Sequence, residues 1–368
     1  MVSSSKQPGM TANKSILTPV MTLEGHEPYI VSSFNGGHVE YKDVSYISYF
    51  PDGKQMISAS RDKTIRRWDL REGKEIKEAR EVYENDIRAV GVSRDGRWVV
   101  TAVGGVLKVH EVETGITRIF HEDLRVWIKC IDISADSTLV AGGSIDGRAL
   151  VWSLDTGKVV AGPLKCSDGY VCALRLLDDS KSLAVMSNWG KRLQVWDVQA
   201  QKLDVSREES AANNGLPLPV CWTTKKKSII TVFSFTSDDT ATTIYELDAS
   251  TLKAVGDSFK GHTKIITGLA LSADYVLLAS ASDDDTIKLW SFESRQLLAS
   301  FDVHAPYSII LSPDSCQLAY TTQKETKIYV CNIPANILAS IDLAKEVRIH
   351  PFIIRRVLRY LADDQRPC

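Results

Sequence analysis

The sequence predicts an all-β protein made of seven repeated sheets, each with four short antiparallel strands. The stretch SASRDKTIRRWDL, which starts at Ser58, recurs as SASDDDTIKLWSF from Ser280. Further segments of the same plan lie between and beyond these copies, at intervals of roughly 44 residues. Counted by the last aromatic or histidine of the motif, the units end at Trp68, His110, Trp152, Trp196, Tyr245, Trp290 and Tyr329.

Unit six shows how one repeat becomes a sheet. ITGLAL at 266–271 alternates as a strand, SADY is a turn, VLLASAS is a second strand and DDD is a tight turn. TIKLWSF and RQLLASF supply the third and fourth strands, because alternating apolar residues between Gly, Asp, Asn and Ser turns are typical of a β-meander. A sheet of about 40 residues cannot bury both of its faces alone, so we expect the units to pack face to face around an axis.

The composition is that of an ordinary soluble globular protein, with 44% hydrophobic and 24% charged residues. No apolar run approaches the ~18 residues of a transmembrane helix, and the N-terminal stretch MVSSSKQPGMTANKS lacks the apolar core of a signal peptide. Seven scattered cysteines without a CxxC pair favour reduced thiols and a cytoplasmic location, with the nucleus as the alternative. A net charge of −2 gives no basic footprint for nucleic acid.

The repeat resembles that of WD40-repeat proteins. The likeness rests on the period, on the closing Trp-Asp pairs at Trp68 and Trp196, and on the Gly-His pairs at His26 and His262. It implies a single seven-bladed β-propeller with four-stranded antiparallel blades at residues 20–333. A disordered tail at 1–19 would precede the propeller, and a helical extension at 334–368 would follow it.

The resemblance also implies that a His, a Ser or Thr, an Asp and a Trp form a hydrogen-bonded tetrad inside each well-formed blade. The full set stands in unit six, and three members stand in unit one: His262, Ser280, Asp284 and Trp290, and Ser58, Asp62 and Trp68. Units two, three, four and seven carry Gly104, Gly142, Gly190 and Gln323 where a tetrad member belongs. We expect blades without the Asp to depend on packing alone and to be the looser part of the ring.

Two assignments stay open at the level of sequence. The histidine of unit one is either His38, whose spacing to Asp62 is closer to that of unit six, or His26, whose context VMTLEGH better fits the end of a fourth strand. The outer strand of blade seven comes either from this N-terminal stretch, which the family resemblance favours, or from ANILASI at 335–341.

His262, Ser280 and Asp284 are also the residue types of a nucleophilic triad, which needs an exposed hydroxyl and a nearby oxyanion hole. The resemblance places Ser280 in mid-strand between blades, where buried polar side chains must hydrogen-bond to one another, so a structural role is favoured. No nucleotide, zincin or calcium-loop motif occurs, and Asp132 is the only acid in the predicted inner strands. The sequence thus predicts no catalytic residue, no cofactor and no metal site.

The C-terminal region changes period from strand to helix. After Pro351, the apolar residues Ile354, Val357, Leu358 and Leu361 repeat at helical spacing, which predicts an amphipathic helix of about three turns. The helix would dock on the propeller, bind a partner or lie on an anionic membrane surface.

The resemblance implies a binding platform on the rim where the loops before first strands and the turns between second and third strands emerge. Trp127, Tyr170 and Trp189 map to that rim in polar surroundings, and aromatic side chains are common interface hot spots. Nearby basic residues would orient an acidic or mixed segment over them: Arg125, Lys191 and Arg192. The alternative is that each ring fills a local gap between blades.

Charges on this rim divide into two sectors. The basic sector, in units one, three and four, contains Arg61, Lys63, Arg125, Lys191 and Arg192. The acidic sector, in units five and six, contains Asp238, Asp239, Asp283 and Asp285. Such a division affects the orientation and rate of association more than affinity.

Together these features predict a non-catalytic intracellular scaffold, a monomeric ring that binds a protein or peptide on its rim. Two alternatives remain at this level. One is a reader of a small ligand or modified peptide in the central channel, and the other is an enzyme or enzyme subunit with an active site in that channel.

Overall fold

The structure, a computed structural model of the chain, describes residues 14–341 except 16, 33–37, 42, 123–125, 178, 189, 209–219, 224–226 and 233–240. Four strands precede the first repeat: β1 (Lys14–Ser15), β2 (Pro19–Leu23), β3 (Tyr29–Ser32) and β4 (His38–Tyr41). β3 and β4 form a separate hairpin. The helix predicted after Pro351 lies outside the described residues.

Blades one to three are sheets of four or five strands, numbered by repeat unit. Blade one contains β5 (Val44–Tyr49), β6 (Gln55–Ser60), β7 (Thr64–Asp69), and an outer strand divided by a 3-10 turn at Lys77–Ala79 into β8 (Lys74–Glu75) and β9 (Glu81–Val82). Blade two contains β10 (Ile87–Val92), β11 (Trp98–Val103), β12 (Val106–Glu111) and β13 (Thr117–Glu122). Blade three contains β14 (Ile128–Ile133), β15 (Leu139–Ser144), β16 (Arg148–Ser153) and β17 (Val159–Lys165).

The remaining units follow the same order along the chain. Blade four contains β18 (Val171–Leu176), β19 (Ser182–Ser187), β20 (Arg192–Asp197) and β21 (Lys202–Glu208). Unit five contains β22 (Val220–Thr223), β23 (Ser228–Val232) and β24 (Ile244–Asp248). Blade six contains β25 (Ile266–Leu271), β26 (Leu277–Ser282), β27 (Thr286–Ser291) and β28 (Leu297–Asp302). Blade seven contains β29 (Pro306–Leu311), β30 (Gln317–Thr322) and β31 (Ile328–Asn332), with β2 as its outer strand.

The prediction of seven four-stranded blades is wrong, because the described chain forms six blades of four or five strands. Unit five is a three-stranded antiparallel sheet, β22-β23-β24. The segment that would supply its outer strand makes two isolated bridges, Ile244 to Phe259 and Leu247 to Ala254. Leu252 and Gly256 have φ values of 52° and 67°, and left-handed residues at these points interrupt the extended backbone that a regular fourth strand needs.

The first strands of the units line the centre of the molecule and contact one another in a closed circuit. β5 packs against β10, β10 against β14, and β14 against β18, and the series continues through β22 and β25 to β29, which returns to β5. Between neighbouring sheets lie separate apolar clusters, so the core is a set of layers rather than one centre. Buried tryptophans anchor several of these layers: Trp68, Trp98, Trp152 and Trp290.

The N-terminal strand closes the ring. β2 pairs antiparallel with β31, with Leu23 opposite Ile328, and Leu23 is 1% exposed. The rival segment 335–341 is a short C-terminal helix instead. Its Ile337 and Ile341 are buried in the apolar cluster between blades six and seven, so the helix packs against the side of the ring.

Candidate functional site

The tetrad of blade six is a continuous hydrogen-bonded chain. Trp290 Nε1 donates to Ser280 Oγ at 2.9 Å, Ser280 Oγ lies 2.7 Å from His262 Nε2, and His262 Nδ1 lies 2.9 Å from Asp284 Oδ2. A neutral imidazole with its proton on Nδ1 satisfies each of these contacts. Burial lowers the pKa of His262, although Asp284 opposes this shift. Ser280 is completely buried, so the hydrogen-bonded tetrad stabilises the interior of the blade.

Blade one repeats this geometry, and His26 rather than His38 completes it. His26 Nε2 lies 2.7 Å from Ser58 Oγ, and His26 Nδ1 lies 2.8 Å from Asp62 Oδ2. Trp68 Nε1 donates to the same serine oxygen at 2.8 Å. Burial opposes ionisation of Asp62, but hydrogen bonds from His26 and from Thr64 lower its pKa to about 2. The hairpin β3–β4 is the insertion that separates His26 from the first repeat.

Blade three has Gly142 in place of the tetrad serine. His121 lies against Trp152, with ring centroids 5.9 Å apart, much as the tetrad histidines lie against their tryptophans. Gly142 supplies no hydroxyl, and Trp152 Nε1 is buried without a hydrogen-bond partner. Asp146 instead accepts a hydrogen bond from Ser144. The blade therefore keeps the packing of the motif and lacks its polar chain.

The beginnings of first strands and the turns between second and third strands lie on one face of the ring, which we call the upper face. The antiparallel register fixes this, because Ile128 at the start of β14 pairs with Ser144 at the end of β15. Trp127 precedes β14 on this face and is 40% exposed. Tyr170, at the equivalent position before β18, is half-buried.

Each of these two rings carries a cation from the preceding blade. The guanidinium carbon of Arg88, in β10, lies 5.0 Å from the ring centroid of Trp127. Lys129 Nζ, in β14, lies 5.0 Å from the ring centroid of Tyr170. Sequence reasoning missed both cations. Each is the second residue of a first strand, and this shared position was the signal that could have identified them.

The other predicted rim residues are distributed differently. Trp189 and Arg125 lie outside the described residues, as do Asp238 and Asp239. Arg192 donates to Glu208 at 2.8 Å, and Lys191 is half-buried in the neighbouring turn. The structure thus brings Trp127 and Tyr170 to adjacent blades of the upper face and adds Arg88 and Lys129 to them.

The remaining charges of the two predicted sectors also make local contacts. Arg61 Nε lies 3.6 Å from Asp43, and Lys63 Nζ lies 5.7 Å from the ring centroid of Tyr29. In the acidic sector, burial raises the pKa of Asp283, whose carboxylate accepts a hydrogen bond from Gln323. Asp285 accepts a backbone hydrogen bond from Ala305 at 2.7 Å.

The central channel contains two connected cavities. The upper cavity, of about 480 Å³, and the lower cavity, of about 660 Å³, share part of their lining. Asp132 lies in the lower cavity, where Arg175 Nη1 is 3.2 Å from Oδ1 and the Leu176 backbone N–H donates to Oδ2 at 2.7 Å. Burial raises the pKa of Asp132, against the opposing charge of Arg175.

The described residues contain no group of three or more His, Cys, Asp and Glu side chains that could hold a metal ion. Within the same part of the chain, every helix is too short or too polar to cross a membrane.

The closed circuit of antiparallel sheets defines a β-propeller. Three of its segments, residues 17–69, 116–153 and 254–291, match the family profile described as WD domain, G-beta repeat, so the propeller carries WD40 repeats. A chain in the crystal structure of a mitotic checkpoint complex has a TM-score of 0.70 at 17% identity, over 90% of this chain and 96% of that one, which shows likeness of fold.

Three relatives found by sequence comparison have low identity to this chain. WD repeat-containing protein 18 of Homo sapiens is 21% identical over 318 residues, which cover 79% of this chain and 70% of that protein. Apoptotic protease-activating factor 1 of Rattus norvegicus is 24% identical over 312 residues, which are 74% of this chain and 23% of that much longer protein. Eukaryotic translation initiation factor 3 subunit I of Culex quinquefasciatus is 27% identical over 200 residues, 51% of this chain and 58% of that protein.

Proposed function

We propose that the protein is a non-catalytic intracellular scaffold, a monomeric ring that binds a segment of a partner protein on the upper face of blades two to four. Two findings support a role in protein interaction. The relatives are WD repeat proteins, and one is a subunit of a translation initiation factor. The fold also matches a chain found in a multiprotein complex.

The exposure of Trp127 carries the proposal. Among the large apolar side chains that are exposed in the described part of the chain, Trp127 is the one aromatic. Its indole lies on the upper face under the Arg88 guanidinium, which holds the ring in place while leaving 40% of the residue exposed. Tryptophan and arginine are the residue types that contribute most to binding energy at protein interfaces.

A second aromatic-cation pair extends this surface by one blade. Tyr170 and Lys129 repeat the arrangement of Trp127 and Arg88 at the equivalent positions of the next pair of blades. An extended segment of a partner that crosses from blade three to blade four would meet two ring faces and two cations in succession. Cations at the rim favour a segment with acidic residues beside its apolar anchors, because complementary charge orients the encounter.

Unit five lies in the ring between blades four and six as a three-stranded sheet. Its first strand β22 packs between β18 of blade four and β25 of blade six. The bridges at Ala254 and Phe259 place the following segment alongside β24, where an outer strand would lie.

The proposal is tested by Trp127→Ala and Tyr170→Ala in affinity purification from native cells, followed by binding measurements with the purified partner. We expect Trp127→Ala to weaken binding by about 2 kcal/mol with an unchanged melting temperature. The matched control is Ile119→Ala, because Ile119 is 55% exposed on the outer strand of blade two, away from the upper face. Equal binding by wild type and Trp127→Ala, or equal losses in Trp127→Ala and Ile119→Ala, would contradict the proposed site.

A further inference from the structure

The charges inside the central channel are mostly positive, in a protein whose net charge is −2. The described residues that line the upper cavity include Lys129 and Arg175, and those that line the lower cavity include Arg94, Asp132 and Arg175. Three cations therefore face one acid. The other lining residues are neutral, and many are aliphatic, such as Ile47, Val90 and Ile131.

The three cations lie at different depths. Lys129 is the second residue of β14, near the upper face, whereas Arg175 is the fifth residue of β18 and lines both cavities. Arg94 follows the end of β10, at the lower mouth. These positions differ by three residues along equivalent strands, so the three cations lie at heights roughly 10 Å apart along the channel. A ligand that enters from either mouth would thus meet a positive charge at the mouth and again at Arg175, where the two cavities adjoin.

The single acid is already bonded within the ring. Asp132 accepts from the Arg175 side chain and from the Leu176 backbone N–H, and it joins blade three to blade four. About a fifth of its side chain, 19%, faces the channel, whereas 44% of the Arg175 side chain remains exposed. The arginine therefore presents more of its surface to the channel than the carboxylate does.

We propose that the central channel is a binding site for a small polyanion, a molecule with two or more phosphate or carboxylate groups. Cavities of 480 and 660 Å³ are of the size that holds small-molecule ligands. A cleft lined by one sign of charge between apolar walls concentrates ions of the opposite sign. Arginine is suited to phosphate and carboxylate because its guanidinium donates two parallel hydrogen bonds. Lys129 belongs both to this site and to the upper-face platform. Arg94, Arg175 and Asp132 line the channel and are not part of the platform, so variants of these residues test the channel site independently.

Isothermal titration calorimetry of the full chain at low ionic strength, with sodium pyrophosphate and with citrate as separate probes, tests the proposal. We expect saturable binding of at least one probe, and the tighter one identifies the phosphate or the carboxylate source. Arg94→Gln should weaken it roughly tenfold, since a hydrogen bond to a charged group is lost. The control is Arg148→Gln, which removes the same charge from an exposed side chain on β16 outside the channel.

Asp132→Asn should change the affinity for the probe in the opposite direction. An asparagine can still accept the Leu176 N–H, but it removes the only acid among the described lining residues, so the probe should bind more tightly than to the wild type. Melting curves without ligand establish that each variant is folded. Absence of saturable binding by both probes, equal weakening by Arg94→Gln and Arg148→Gln, or weaker binding by a folded Asp132→Asn would overturn the proposal.

Discussion

Arg295 of blade six donates a hydrogen bond to the buried carboxylate of Glu246 in unit five. Glu246 is fully buried, and its second oxygen accepts from Ser228 Oγ at 2.5 Å. The Arg295 guanidinium also stacks on Phe259, 4.7 Å from the ring centroid. One arginine thus joins the three-stranded sheet of unit five to the neighbouring sheet of blade six.

Arg295→Ala should destabilise the protein by about 3 kcal/mol, because it leaves the buried carboxylate of Glu246 without its countercharge. Chemical denaturation, followed by tryptophan fluorescence, measures the change. Arg71→Ala is the control, since Arg71 pairs with Asp69 at a site where 73% of the arginine is exposed, and it should change stability much less than Arg295→Ala. Similar losses of stability in both variants would show that the Arg295–Glu246 contact contributes no more than an exposed ion pair.

Asp284→Ala should lower the free energy of unfolding by roughly 1–3 kcal/mol, because His262 loses the acceptor of its buried N–H. Differential scanning calorimetry would show the loss as a lower melting temperature. Asp285→Ala alters the next residue, whose carboxylate is half-exposed, and should have a smaller effect. If Asp284→Ala kept full stability and lost an activity, the structural role of the tetrad would be wrong.

Acid should weaken blade one through Asp62. Its folded pKa is about 2, below the ~3.9 of an unfolded aspartate, so its contribution is complete above about pH 4 and is lost as the pH falls towards 2. Denaturation midpoints at pH 6, 4 and 3 should therefore fall more steeply for the wild type than for Asp62→Asn. Asp168→Asn, at a 93% exposed side chain, should follow the wild type.

Closure by the N-terminal strand can be tested within β2 itself. Leu23→Ala should destabilise by about 2–4 kcal/mol, because Leu23 is buried in the layer between blades seven and one. Val20→Ala changes a residue of the same strand that is 55% exposed and should change stability by less than about 0.5 kcal/mol. Indistinguishable unfolding curves for the two variants would mean that β2 contributes little to the ring.

The sequence by itself determined the all-β class, the period, the tetrad of unit six and three of the four tetrad members of unit one. These features are written locally: alternation within each strand, a turn after each strand, and a Ser, an Asp and a Trp at fixed spacing, as in Ser280, Asp284 and Trp290. The repeated units make these patterns easier to recognise, because every unit must bury both faces of its sheet against its neighbours.

Only the tertiary structure decided how one unit meets the next. The pairing of Arg88 with Trp127, of Asp132 with Arg175 and of Glu246 with Arg295 joins residues of different sheets. The choice of His26 for blade one and the three-stranded form of unit five were likewise settled by contacts across an insertion and across a broken strand. The strand pattern shows which side of a strand is buried, and for Arg88 it also shows a position shared with Lys129. The partner that each side chain meets depends on the distance and angle between sheets, which the pattern does not encode.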